Sequence, residues 1–121
     1  MSDKFEFTPE NMAIAQKYIA KYPEGRQASA VLPLLDLAQR QNNNYASEAV
    51  IDGVAELLGM ARIRVVEVAS FYTMINTDPV GKYLLQFCTT TPCWLRNSDE
   101  VVTAAREHLD IDYGQTTEDG I

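Results

Sequence analysis

The 121-residue sequence has no cysteine apart from Cys88 and Cys93, and it has a single histidine and a single tryptophan. It also lacks an uninterrupted apolar stretch near 18 residues, so we expect no direct membrane span. Its first residues show neither the apolar core of a secretory signal nor the Arg- and Ser-rich composition of a mitochondrial transit peptide. Basic residues are few, and the net charge of −7 argues against nucleic acid or an anionic membrane surface as the main partner.

What remains is ordinary globular composition, with 46% hydrophobic and 22% charged residues. A chain of this length can bury a core of its own. Two cysteines without an export signal are expected in a reducing compartment. There, closely spaced thiols more often bind metal or do redox chemistry than form a structural disulfide.

The first two thirds of the chain are predicted to form a four-helix domain over residues 1–80. Thr8 followed by a proline is typical of a helix start, and Ser47 predicts a second N-cap. Gly59 predicts the end of the third helix. The apolar spacing places the helices over residues 9–21, 28–41, 47–58 and 62–76.

The fourth predicted helix, residues 62–76, is apolar on most sides, with Glu67 as its only acid. A helix of this kind must be covered on most sides. Two interpretations follow: the helical domain covers it completely, or a partner subunit covers the part that the domain leaves open. Phe71–Met74 is the stretch on which these interpretations differ most.

The last third is predicted to alternate strand and helix. A boundary at residues 77–81 precedes a short apolar strand at 82–88, the cysteine loop, and a helix from Asn97 to Leu109. Asn97 with Glu100 resembles a capping box. A lone strand leaves its backbone polar groups unpaired, and a returning strand would begin only at Ile121. We therefore expect the second half of this domain to lie outside the sequence.

The cysteines stand four residues apart, in the string FCTTTPCW, between the predicted strand and helix. A disulfide, a zinc site and a [2Fe–2S] site are all compatible with this spacing. Zinc would need two more ligands, and only His108 remains; a histidine near a helix C-terminus has a simpler role there. A cluster would need a second cysteine pair, with Trp94 and Leu95 excluding water. The spacing alone leaves these alternatives open.

Three strings carry a resemblance to a known family: VGKYLLQFCTTTPCWLRNSDE, EVASFYTMI and YPEGRQASAVLPLLDLAQRQ. From about Phe5 to Ile121 the chain resembles the thioredoxin-like [2Fe–2S] subunit of respiratory complex I, the NADH:quinone oxidoreductase. The resemblance implies an α+β fold in which the helical domain is followed by the first βα unit of a thioredoxin-like ferredoxin domain, residues 81–121. It implies that Cys88 and Cys93 bind iron, and that two further cysteines complete the site.

The function implied by the resemblance is electron transfer beside the flavin-bearing, NADH-oxidising subunit, with no catalytic residue in this chain. Trp94, Leu95 and Phe71–Met74 are expected near that subunit. The expected location is the cytoplasmic face of a bacterial inner membrane or the matrix side of the mitochondrial one. Alternatives are the equivalent subunit of an NAD-linked formate dehydrogenase or hydrogenase, and a degenerate paralogue that serves only in docking. The missing second pair suggests a truncated chain, such a paralogue, or a site completed by another molecule.

Overall fold

The chain divides into two units. A computed structural model describes residues 4–121, so Met1–Asp3, which belong to the predicted first domain, lie outside the described residues. The first unit ends at Pro79 and the second is Val80–Ile121.

The first unit is helical. A short 3-10 helix leads directly into the second α-helix, and Pro33 falls in the first turn of that helix, where its missing N–H costs little. The elements are α1 (Pro9–Ile19), the 3-10 helix (Gln27–Ala30), α2 (Val31–Gln41), α3 (Glu48–Leu58) and α4 (Arg62–Phe71).

The predicted helix boundaries in this unit follow from local capping and are confirmed at three places. Thr8 Oγ1 accepts a hydrogen bond from the backbone N–H of Asn11 at 3.3 Å. Ser47 Oγ accepts one from Val50 N–H, also at 3.3 Å. Gly59 ends α3 in the left-handed conformation, with φ 62°. Each cap satisfies groups that a helix end leaves unpaired.

One apolar core holds the four α-helices together. Leu34 and Leu35 on α2, Val50 and Val54 on α3, and Val65 on α4 are its largest fully buried side chains. At about 1.5–3 kcal/mol for each large apolar side chain, their burial is a leading stabilising contribution in this unit. The buried members are Ala15, Ala30, Val31, Leu34, Leu35, Ala38, Ala46, Val50, Ile51, Val54, Ala55, Val65, Ala69 and Ile75.

Helix α4 is shorter than predicted and only one of its sides is buried. It ends at Phe71 rather than near residue 76, because Tyr72 adopts an extended backbone with ψ 113°. Val65 and Ala69 face the core, whereas Ile63 is 60% exposed and Phe71 is 77% exposed. The interpretation in which the helical domain covers this segment completely is therefore wrong.

The second unit contains two helices, α5 (Thr91–Leu95) and α6 (Ser98–Leu109). No strand occurs anywhere in residues 4–121, so the strand predicted at 82–88, and with it the βα unit, is not observed. A strand requires a hydrogen-bonded neighbour along its edge, and segment 82–88 gains a single backbone bond of this kind, from Tyr83 N–H to the carbonyl oxygen of Gly120 at 2.9 Å. Within the described part of the chain, every helix is too short or too polar to span a bilayer.

The predicted capping box at the start of α6 is wrong. Asn97 does precede the helix, but it adopts the left-handed conformation with φ 66° and its side chain makes no capping bond. Asparagine tolerates this backbone better than most residues. The residue therefore turns the chain between α5 and α6 instead of capping α6 with its side chain.

Candidate metal centre

The two cysteines lie at opposite ends of one short turn. Cys88 ends the extended segment 82–88 and is exposed, while Cys93 is the third residue of α5 and is half-buried. Pro92, in the first turn of α5, lacks an N–H at a position where that group has no helical partner anyway. Both sulfurs are free thiols. The structure therefore contains no disulfide between them.

Thr90 is the closest polar neighbour of Cys88. Its hydroxyl Oγ1 lies 3.1 Å from Cys88 Sγ. Hydrogen bonds from the side chain and backbone of Thr90, and from Cys93, lower the pKa of the Cys88 thiol below its ordinary value. A hydrogen bond to an anionic sulfur favours the charged form. Cys88 is thus the thiol that this turn prepares as a thiolate.

Cys93 is affected in the opposite direction. Its hydrogen bond with Cys88 raises the pKa of the Cys93 thiol, and partial burial and the charge of Cys88 raise it further. Opposite shifts of this kind arise when two nearby thiols share a proton, so that ionising one disfavours ionising the other. A metal cation removes the conflict, because it binds both thiolates and neutralises their charge.

The donor set near the turn is incomplete for a closed metal site. Within residues 4–121, no three or more His, Cys, Asp or Glu side chains come together in a way that could hold a metal ion. His108 therefore does not join Cys88 and Cys93, and the zinc alternative that used it gains no third ligand. Two thiolates fit half of the four protein ligands that a [2Fe–2S] centre takes.

The hydrophobic residues after Cys93 are open to solvent. Trp94 is 56% exposed and Leu95 is 68% exposed. Together with Asn97, Asp99 and Glu100 they line a shallow open cavity of about 350 Å³. Cys88 is itself exposed, so within this chain the two residues do not exclude water from the thiols as predicted.

Thr90 is the residue that sequence reasoning missed. The spacing of the cysteines draws attention to the two sulfurs and says nothing about the threonines between them. A usable signal is nevertheless present, because a Ser or Thr hydroxyl commonly bonds to a group two residues away in the chain. The spacing of Cys88 and Thr90 fits that pattern.

Comparison with known proteins adds a family assignment to this geometry. Residues 15–121 match the family model described as thioredoxin-like [2Fe-2S] ferredoxin. The chain is 49% identical over 115 residues to the mitochondrial "NADH dehydrogenase [ubiquinone] flavoprotein 2" of Dictyostelium discoideum; this covers 95% of the chain and 47% of that protein. It is 49% identical over 115 residues to an NADH-quinone oxidoreductase subunit of Rickettsia prowazekii, covering 95% of the chain and 65% of that protein.

A third relative extends this pattern. The NADH-quinone oxidoreductase subunit of the same name in Rickettsia conorii is 50% identical over 115 residues, with 95% of the chain and 69% of that protein covered. Across the three relatives, the chain spans between about half and about two thirds of the relative's length.

Proposed function

The chain belongs to the thioredoxin-like [2Fe-2S] ferredoxin family, and from that premise we propose that Cys88 and Cys93 are two of the four ligands of a [2Fe–2S] cluster. The observation that carries the proposal is the pair of free thiols on one turn, each of which shifts the pKa of the other. Thiolates are the usual ligands of such clusters. A pair that shares a proton when metal-free is suited to release it when iron binds.

The remaining two ligands must come from outside these 121 residues, since the sequence has no further cysteine. We propose that a second cysteine pair supplies them. Together with the first pair it would give the four thiolates of an ordinary [2Fe–2S] centre.

We also propose the finer architecture that the family resemblance implies. Residues 1–80 would form a helical domain, and residues 81–121 the N-terminal half of a thioredoxin-like iron–sulfur domain. Segment 82–88 would become a strand once a neighbouring strand pairs with its backbone. Support comes from the exposure of its side chains, since Tyr83, Leu84 and Leu85 are each about half exposed.

The proposed function is electron transfer within an NADH:quinone oxidoreductase. When bound, the cluster accepts and passes on one electron at a time. The side chains of this chain would hold the iron, orient the ligand sulfurs and tune the cluster, and none would act as an acid, base or nucleophile. Three relatives named as NADH dehydrogenase or NADH-quinone oxidoreductase subunits favour this assignment over the NAD-linked formate dehydrogenase or hydrogenase alternative.

The proposed partner is the flavin-bearing, NADH-oxidising subunit, and through it the rest of the peripheral arm of complex I. Electron exchange requires the cluster to lie near the flavin, so the cysteine turn and the neighbouring Trp94 and Leu95 would face that subunit. The proposed location is the cytoplasmic face of a bacterial inner membrane or the matrix side of the mitochondrial one. Relatives from Rickettsia and from a mitochondrion are compatible with both.

The test is spectroscopic. The full-length protein should show [2Fe–2S] absorption and, after reduction, an EPR signal from the cluster. Because a serine oxygen is a harder and weaker ligand for iron than a thiolate, Cys88→Ser and Cys93→Ser should each greatly reduce both signals. Thr91→Ser, a change inside the same turn that leaves both sulfurs in place, is the matched control. Full cluster content in both cysteine variants would remove these residues from the site.

A second candidate function is a docking subunit whose cysteines no longer bind metal. The exposure of Phe71 and Met74, at 77% and 57%, favours a protein interface whether or not a cluster is present. The same spectra separate the two functions, because a docking subunit would show neither the absorption nor the EPR signal.

A further inference from the structure

Thr90 occupies the N-cap position of α5 but does not cap the helix. Its backbone is extended, with φ −70° and ψ 170°, as is usual for an N-cap residue. At the N-caps Thr8 and Ser47 the side-chain oxygen accepts a bond from a backbone N–H three residues on. The Thr90 side chain makes no such bond. Its hydroxyl is therefore left for another use.

That use is a contact with the first cysteine. Thr90 Oγ1 lies 3.1 Å from Cys88 Sγ, and in a metal-free thiol either atom could donate. Once Cys88 binds a metal ion, its sulfur carries no proton and can only accept. The Thr90 hydroxyl must then be the donor.

The neighbouring threonines do not share this role. Thr89 and Thr91 belong to the same turn, but among the side-chain hydrogen bonds described for residues 4–121 neither reaches a cysteine sulfur. The contact is thus specific to one of three chemically identical side chains, which provides matched controls within the turn.

We propose that Thr90 is a positioning residue of the cluster site: its hydroxyl donates a hydrogen bond to Cys88 Sγ, orients that ligand and raises the reduction potential of the cluster. The inference rests on the function proposed above. Reduction adds one negative charge, part of which resides on the ligand sulfurs. A donor aimed at such a sulfur stabilises the reduced state more than the oxidised one, and hydrogen bonds to sulfur are among the factors that set the potentials of these clusters.

The experiment compares hydroxyl-free and hydroxyl-bearing variants of the full-length protein by EPR-monitored redox titration. Thr90→Val preserves the shape of the side chain and removes the donor. It should make reduction about three- to tenfold less favourable, and tenfold equals about 59 mV for a one-electron couple. Thr90→Ser should restore a potential close to that of the unchanged protein. Thr89→Val and Thr91→Val should leave the potential unchanged.

A second readout detects the hydrogen bond itself. In the reduced, unchanged protein, electron–nuclear double resonance should show an exchangeable proton coupled to the cluster. That coupling should disappear in Thr90→Val and persist in Thr90→Ser. If Thr90→Val does not assemble a cluster, Thr90→Ala, which also lacks the hydroxyl, takes its place with the same expected result.

Three outcomes would overturn the inference. An unchanged potential and an unchanged proton coupling in the hydroxyl-free variant would show that Thr90 does not act on Cys88. Equal shifts in all three threonine-to-valine variants would indicate a general property of the turn. Absence of a cluster in the unchanged protein would overturn the proposed function, and this inference with it, whereas the first two outcomes would leave the proposed function intact.

Discussion

The residues of the cysteine turn illustrate how much a few neighbouring groups can change the chemistry of a side chain. Cys88 and Cys93 are separated by four residues, yet their pKa values move in opposite directions, the first lowered by Thr90 and the second raised by Cys88. The sequence spacing is sufficient to identify the pair as a candidate site. It cannot distinguish the two thiols, because the difference depends on where one hydroxyl points.

This difference predicts unequal reactivity in the metal-free protein. Only the thiolate reacts with an alkylating agent, and a lowered pKa means a larger thiolate fraction at any pH below the ordinary thiol pKa. At about pH 8, iodoacetamide should therefore modify Cys88 several times faster than Cys93. The ratio should shrink as the pH rises above both pKa values, where both thiols are ionised.

Peptide mass spectrometry after timed quenching measures both rates in one sample. Unfolding in denaturant is the control, since the contacts that separate the two pKa values are then lost and the rates should converge. Faster modification of Cys93 in the folded protein would contradict the direction of both shifts.

At the scale of elements, the predictions succeed where the signal is local. The caps at Thr8, Ser47 and Gly59 depend on a few adjacent residues, and the sequence predicts all three. The strand at 82–88 depends on a backbone partner, which adjacent residues do not specify. The end of α4 is also predicted wrongly: residues 72–76 are apolar enough to continue a helix, but contacts with α2 hold them in another conformation.

Gln39 makes those contacts. It lies on α2 and is only 6% exposed. Its Nε2 donates to the carbonyl oxygen of Met74 at 2.9 Å, and its Oε1 accepts from the backbone N–H of Asn76 at 3.1 Å. Both backbone groups follow the end of α4 and have left the helical hydrogen-bond pattern. The amide of Gln39 thus replaces the bonds that continuing the helix would have provided.

Replacing Gln39 should therefore destabilise the helical unit. Gln39→Leu keeps the approximate size of the side chain but leaves the Met74 carbonyl and the Asn76 N–H without this partner. The expected loss is about 1–3 kcal/mol in the free energy of unfolding, measured by urea denaturation with circular dichroism. Gln16→Leu on α1 is the matched control, because the Gln16 side chain is exposed and only its contact with the Met12 sulfur is lost. Equal losses in the two variants would show that the Gln39 bonds add nothing.

At the scale of the whole molecule, burial is distributed very unevenly. Every buried hydrophobic residue except Val102 belongs to the first unit. Even that unit leaves Phe71 and Met74 exposed at the end of α4, and the second unit exposes Trp94 and Leu95 beside the cysteine turn. Large exposed apolar side chains tend to mark surfaces that another protein covers. Sequence patterns identify such residues as apolar, but they cannot show whether the same chain covers them.

The last prediction tests whether these surfaces bind the proposed partner. Because aromatic residues dominate the energetic centres of interfaces, placing a charge at Phe71 or Trp94 should weaken binding of the flavin-bearing subunit at least about tenfold. Phe71→Asp and Trp94→Asp are compared by calorimetric titration and by co-purification. Ala20→Asp and Thr103→Asp, which place the same charge at exposed positions just after α1 and on α6, are the controls and should bind normally.

Stability separates an interface from a core role. Phe71 is 77% exposed, so Phe71→Asp should leave the melting temperature of the isolated protein nearly unchanged. Val65→Ala, at a fully buried position of the same helix, should lower it by several degrees, because it leaves a cavity in the core. A large loss of stability in Phe71→Asp would return this residue to the core. Normal binding by both Phe71→Asp and Trp94→Asp would instead refute the proposed docking surface, while the assignment of Cys88 and Cys93 as cluster ligands would still stand, because it depends on the geometry of the turn.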